Sequence, residues 1–126
     1  MLATYNRSEA LGTILEKVRA LGPTLRERAL EAERAGRHSD ETIADLDAAG
    51  VFNIGSPTEF GGFELTVRQQ LDVVAAVSKL DGSACCSVWA GASTNWIPAG
   101  MGARIVEEVY GHEWVGPRVA GSSQFP

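Results

Sequence analysis

One stretch of this chain has no charge. Between Asp81 and Arg104 there is no charged side chain, although the 126 residues carry 11 Lys or Arg and 16 Asp or Glu. Long greasy runs are also missing. Ser83, Ser87, Ser93, Thr94, Asn95, Pro98 and several glycines interrupt the uncharged stretch, which speaks against a membrane span. Cysteine is scarce: Cys85 and Cys86 are the only two. Neighbours on a helix diverge, so they do not readily bridge each other, and with no histidine near them a zinc site is not expected. Buried, reduced thiols are the expectation. A basic stripe is absent as well. Arg19, Arg26, Arg28, Arg34 and Arg37 are interleaved with Glu27, Glu31 and Glu33, and the net charge is -5, so no surface is marked for nucleic acid. No basic segment leads into an apolar core after Met1, which makes a cytoplasmic protein the expectation.

What is present reads as helix. Hydrophobic residues make up 44% of the chain, enough for one domain with a real core. Over residues 8–34 the apolar positions Leu11, Ile14, Leu15, Val18, Leu21, Leu25, Ala29 and Ala32 fall at helical spacing. Gly22-Pro23 should kink or break that run, because proline lacks a donor and clashes with the preceding turn. Gly36 marks a stop. Ser39 caps a second helix with Asp40 and Glu41 in its first turn and Ile43, Leu46 and Ala49 facing inward. Gly50 closes it in a left-handed conformation, and residues 51–62 read as a loop. A third helix starts at Thr66 and runs to about Leu80, with Val67, Leu71, Val74 and Val77 as its apolar stripe. Asp81-Gly82-Ser83 breaks the chain and caps the uncharged fourth helix. A short fifth helix spans about 103–110, with Ile105, Val106 and Val109 inward and Arg104, Glu107 and Glu108 outward. Val119-Ala120-Gly121 has the character of an incipient strand. The expected fold is all-α: an antiparallel bundle of about five helices over residues 1–117. Residues 118–126 are expected to lead into a β-domain beyond this chain, since a lone strand cannot satisfy its ladder.

No strong catalytic signature appears. Phe60-Gly61-Gly62-Phe63 lacks the lysine and the strand-to-helix setting of a phosphate loop. His38 and His112 are isolated and read as surface or capping residues, and Glu59 and Glu64 have no visible partner to tune them. Trp89 and Trp96 are seven apart and share a helix face. Core packing is the simpler account of them, ligand stacking the other. Cys86, Ala90, Ser93 and Thr94 share another face, where small side chains leave room for either a close helix or a ligand.

The order of these pieces resembles the N-terminal helical domain of the acyl-CoA dehydrogenase superfamily. Ala48-Ala49-Gly50-Val51 is similar to the family's step out of its second helix. Pro57-Thr58-Glu59-Phe60-Gly61-Gly62 is similar to its Pro-x-x-aromatic-Gly-Gly loop. Leu80-Asp81-Gly82-Ser83 opens the helix that borders the substrate in the family. The run from Ile105 to Gly111, then Val119-Ala120-Gly121-Ser122, resembles the short helix and the entry into the middle β-domain. The resemblance implies a flavoprotein (FAD or FMN) of three domains, usually a homodimer or homotetramer, with the flavin held mainly by domains absent here. No catalytic residue and no metal ligand is expected in this chain.

Cys86, Ser87, Ala90 and Thr94 carry over only as walls of the substrate pocket. Two branches are implied. One oxidises acyl-CoA thioesters. The other uses reduced flavin and oxygen to hydroxylate aromatic or polyketide-like substrates, with a flavin reductase as a possible partner. Asp81-Gly82-Ser83 followed by Asn95-Trp96 leans toward the hydroxylase. That branch often has a tryptophan and a histidine eight apart on this helix. Cys86 and Thr94 stand there instead, and they imply a roomier pocket without the same stacking or proton chemistry. A non-catalytic helical module that binds partner proteins is the alternative of another class.

Overall fold

The computed structural model describes residues 5–95 and 97–110. Trp96, His112 and the segment 118–126 lie outside the described residues, as do the side chains of Val106 and Val109.

Six α-helices follow one another, and no strand occurs among the described residues. Helix α1 (Arg7–Ala20) starts at Asn6, whose side chain accepts from the amides of Ser8 and Glu9. Helix α2 (Gly22–Ala35) begins at once, with Pro23 in its first turn. The long apolar run therefore breaks at Leu21, and the proline sits where its missing donor costs least. Ile14, Val18 and Leu25 are its buried residues. Gly36 (φ 68°) ends α2, and the amide of Arg37 reaches back to Ala32 O at 3.2 Å, a closure that satisfies the last carbonyls.

Helix α3 (Asp40–Ala48) is capped by Ser39, which accepts from the Thr42 amide at 3.2 Å. Arg28 of α2 holds it sideways, donating to Asp45 Oδ2 at 2.8 Å and Thr42 Oγ1 at 3.2 Å. Gly50 follows with φ 86°, and a Cβ there would also strike the Phe63 ring. The chain then makes a 3₁₀ turn (Val51–Asn53) whose Val51 and Phe52, with Ile54 after it, lie at the centre of the core.

A second 3₁₀ turn (Thr58–Phe60) sits in the loop that returns to α4. Here Gly62 donates to Pro57 O at 2.9 Å, and its Cα lies so close to the Ser56 backbone that no side chain fits. The loop is laced to the preceding turn by Phe63 N to Asn53 O (3.0 Å) and Leu65 N to Ile54 O (2.8 Å). Tyr5 and the first residue of α1, Arg7, hold it from outside. Tyr5 donates its hydroxyl to Phe63 O at 2.6 Å, and Arg7 Nε donates to Glu64 O at 2.6 Å. Glu64 has φ 40°, rare for a residue with a side chain, and Thr58 donates to its carboxylate at 2.9 Å.

Helix α4 (Val67–Ser78) opens with a reciprocal capping box between Thr66 and Gln69. Its inward residues are Val73 and Val77, with Ala76 and Leu80 packed beside them. The expected stripe is thus rotated. Val77 is buried and Val74 half-buried, but Val67 is 73% and Leu71 47% exposed. Helix α5 (Gly82–Asn95) lies against α4 and the Val51–Asn53 turn, and α1 also packs against α4, all sharing one core. A third 3₁₀ turn (Ile97–Gly100) leads to α6 (Ala103–Tyr110), where Arg104, Glu107 and Glu108 are exposed and Ile105 is half-buried. No helix among the described residues is long and apolar enough to cross a membrane.

Candidate functional site

Helix α5 is the charge-free segment made solid. Its cap is Asp81, whose Oδ1 accepts from the Ala84 amide at 2.7 Å. The acid sits at the positive end of the helix, two residues ahead of Ser83. Ala84, Val88, Gly91 and Ala92 face the core. Asn95 is wholly buried at the far end and donates Nδ2 to Phe52 O at 2.9 Å. That bond fixes the end of α5 to the turn it rests on.

The opposite side is open. Cys86 and Ala90 are exposed, and Trp89 is 51% exposed, so it does not pack into the core. The expectation of two buried thiols is likewise corrected. Cys85 is half-buried with its thiol 3.7 Å from Val74 O, whereas Cys86 faces outward. Burial pushes the Cys85 thiol above its ordinary pKa, and negative charge on Cys86 pushes it further.

Two hollows flank this strip. The first, about 380 Å³, lies between α4 and α5 and is lined by Ile54, Gly55, Val67, Gln70, Leu71, Trp89, Ala92 and Ser93, none of them charged. The second, about 530 Å³, lies among the end of α2 and the starts of α3 and α5. It is polar, with Glu33, Arg37, His38, Asp40, Ser83 and Ser87 in its lining. His38 Nε2 comes within 3.4 Å of Ser83 Oγ there, a long-range contact that its sequence neighbourhood did not suggest. A third hollow of about 500 Å³, bordered by Tyr5, Lys17, Asp47 and Phe63 among others, has no residue of α5 in its lining.

The four residues expected to wall a pocket are therefore spread around α5. Cys86 and Ala90 form the exposed strip, and Ser87 reaches the polar hollow. Thr94 is buried, donating to Ala90 O at 2.9 Å and also 3.2 Å from Gly91 O. None of the four lines the uncharged hollow. Sequence reasoning missed Leu71 and Val67 as surface residues. Their apolar spacing carries no mark to distinguish a core face from a face awaiting cover.

The body is a helical domain whose uncharged helix leaves a strip of small side chains open between two hollows. Residues 8–110 match the acyl-CoA dehydrogenase N-terminal domain, and the chain belongs to that family of flavin-dependent oxidoreductases. A pigment production hydroxylase from Rhodococcus sp. (strain ATCC 21145) is 34% identical over 84 residues, which cover 67% of this chain and 19% of the relative. Another pigment production hydroxylase, from Rhodococcus erythropolis, is 32% identical over 71 residues, 56% of this chain and 18% of its own. The oxygenase subunit HsaA of a flavin-dependent monooxygenase from Rhodococcus jostii (strain RHA1) is 34% identical over 103 residues, 79% of this chain and 26% of that protein. The matched part of the chain thus spans only about a fifth to a quarter of these relatives. No solved structure gives a significant match.

Proposed function

We propose that this chain is the substrate-cavity domain of a flavin-dependent oxidoreductase that hydroxylates its substrate with reduced flavin and oxygen. The observation that carries the reading is the Cys86–Ala90 strip: a continuous uncharged face, left uncovered on a domain of this family. The names of the three relatives support the hydroxylase branch over acyl-CoA oxidation.

In this reading Cys86, Ser87, Ala90 and Thr94 belong to the pocket wall. Cys86 and Ala90 bring only a thiol and a methyl to the surface, so a flat ring system fits against them. They shape the space beside a flavin and do not anchor its phosphate. Flavin, FAD or FMN, supplies the electron transfer to oxygen when bound. The chain's own part is to exclude water, which strengthens electrostatics in the cavity. Thr94 contributes shape more than hydrogen bonding, because its hydroxyl is turned onto its own helix. The substrate is a small aromatic or polyketide-like molecule. The assembled enzyme is a cytoplasmic homodimer or homotetramer fed by a flavin reductase.

The test compares flavin absorbance of the purified 126-residue chain with that of the protein carried to the end of its reading frame. Little flavin on the shorter chain and stoichiometric flavin on the longer one is the expected result. Tight stoichiometric flavin on the 126-residue chain refutes the division of labour. Substrate turnover with NADH-fed reduced flavin and oxygen, against acyl-CoA oxidation with an artificial acceptor, separates the two branches.

A further inference from the structure

The hydroxyls of α5 are used unevenly. Ser93 and Thr94 turn theirs onto their own helix, donating to Ala90 O at 3.2 and 2.9 Å. Ser83 and Ser87 do not. Ser83 Oγ meets His38 Nε2, from the turn between α2 and α3, at 3.4 Å, and the Ser87 hydroxyl has no hydrogen bond among the described residues. All three residues line the polar hollow of about 530 Å³. The two serines also belong to the open face of α5. Ser83, Ser87, Ala90 and Thr94 stand at i, i+4, i+7 and i+11, with Cys86 three residues on from Ser83. The polar hollow and the Cys86–Ala90 strip are thus successive parts of one face.

The His38–Ser83 contact is too long and too exposed to do much for stability. A serine hydroxyl offers one donor and two acceptor sites, and a neutral imidazole one donor and one acceptor, so the three residues have hydrogen bonds left to give. Charge selects their partner. The lining has two carboxylates, Glu33 and Asp40, against one guanidinium, Arg37, which already lies 3.6 Å from Asp40. A ligand carboxylate or phosphate meets net repulsion there, whereas a neutral hydroxyl can both donate and accept. Length selects the rest. Ser83 lies roughly 10 Å along the helix axis from Ala90, farther than a single ring extends. We propose that Ser83, Ser87 and His38 bind a hydroxyl group at one end of a substrate with at least two fused rings, whose body lies on Cys86 and Ala90. The inference rests on the cavity reading of that strip and adds His38 to it as a specificity residue, brought in from outside α5.

Binding of 2-naphthol and of naphthalene to the longer, flavin-loaded protein, measured by equilibrium dialysis, tests this. The expected result is about tenfold tighter binding of 2-naphthol, the worth of one or two such hydrogen bonds. His38→Ala and Ser83→Ala are each expected to cut that preference by about fivefold and to leave naphthalene affinity unchanged, which a folding defect would not do. Ala90→Trp, which fills the strip, is expected to abolish binding of both compounds. If naphthalene binds and is displaced by Ala90→Trp, the cavity stands. In that case, no preference for 2-naphthol, or one that survives both alanine variants, overturns the inference. So does an equal fall for both compounds in those variants, because it makes the pair structural. Naphthalene that fails to bind, or that binds unaffected by Ala90→Trp, overturns the cavity reading itself, and the inference falls with it.

Discussion

Replacing Asn95 with alanine isolates what fixes the end of α5. Asn95 is fully buried, and its amide donates to Phe52 O at 2.9 Å across 43 residues of sequence. Orphaning that buried carbonyl costs about 1–3 kcal/mol. The deleted amide leaves a void about the size of one water, roughly 30 Å³, which at ~24 cal/mol per Å³ adds about 0.7 kcal/mol. The expected loss is about 2–4 kcal/mol, or roughly 10 °C in Tm for a domain of this length. Urea unfolding followed by tryptophan fluorescence measures it. Asn95→Asp supplies the sign. Its carboxylate has no proton to offer Phe52 O, and burial disfavours its charge, so its pKa in the folded state is raised above the unfolded value of about 3.9. Its stability is therefore fullest below that pH and is lost as pH rises through the folded pKa. A loss under 1 kcal/mol for Asn95→Ala, or an Asn95→Asp variant that gains stability from pH 4 to pH 7 relative to the unsubstituted protein, refutes the reasoning.

Two further outcomes follow from the geometry. Gly62→Ala must push a methyl into the Ser56 backbone, whereas Gly61→Ala has open space and meets only the strain of φ 79°; urea midpoints are expected to fall by about 1 kcal/mol for Gly61→Ala and clearly more for Gly62→Ala, and the reverse order contradicts the loop described. Ellman's reagent at pH 8 is expected to react first with exposed Cys86 and later with Cys85, whose raised pKa and partial burial leave less thiolate available; Cys86→Ser removes the fast phase, and a fast phase that survives Cys86→Ser but not Cys85→Ser reverses the assignment.

Local chemistry made most of the fold legible. Gly22-Pro23 locates the break between α1 and α2, Ser39 and Thr66 announce their helices, and Gly36 and Gly50 take the left-handed conformations their positions imply. Each of these is decided within a few residues. What escaped is decided by packing between distant elements. Val67 and Leu71 share a helical spacing with Val77, but α1 and α5 press on the side of α4 that carries Val73 and Val77. Spacing alone fits both seams. Core packing is the simpler account of the seven-residue spacing of Trp89 and Trp96, with ligand stacking the other, yet Trp89 is half exposed, and nothing in composition says which side of that helix the chain itself covers. Asn95 carried the opposite lesson: a polar residue became core once Phe52 O stood within reach of its amide. Of the candidate wall residues, the helix they occupy was readable, while their division into exposed, half-buried and buried positions needed the packed structure.

The two clasps at the start of α1 matter for where the domain is taken to begin. The family match opens at residue 8, yet Tyr5 and Arg7 supply the hydroxyl and guanidinium that hold the carbonyls of Phe63 and Glu64. A version trimmed to the matched boundary would lose both fastenings of the strap leading into α4, together with the Asn6 cap of α1. The working edge of this unit therefore lies at least three residues upstream of its recognisable one.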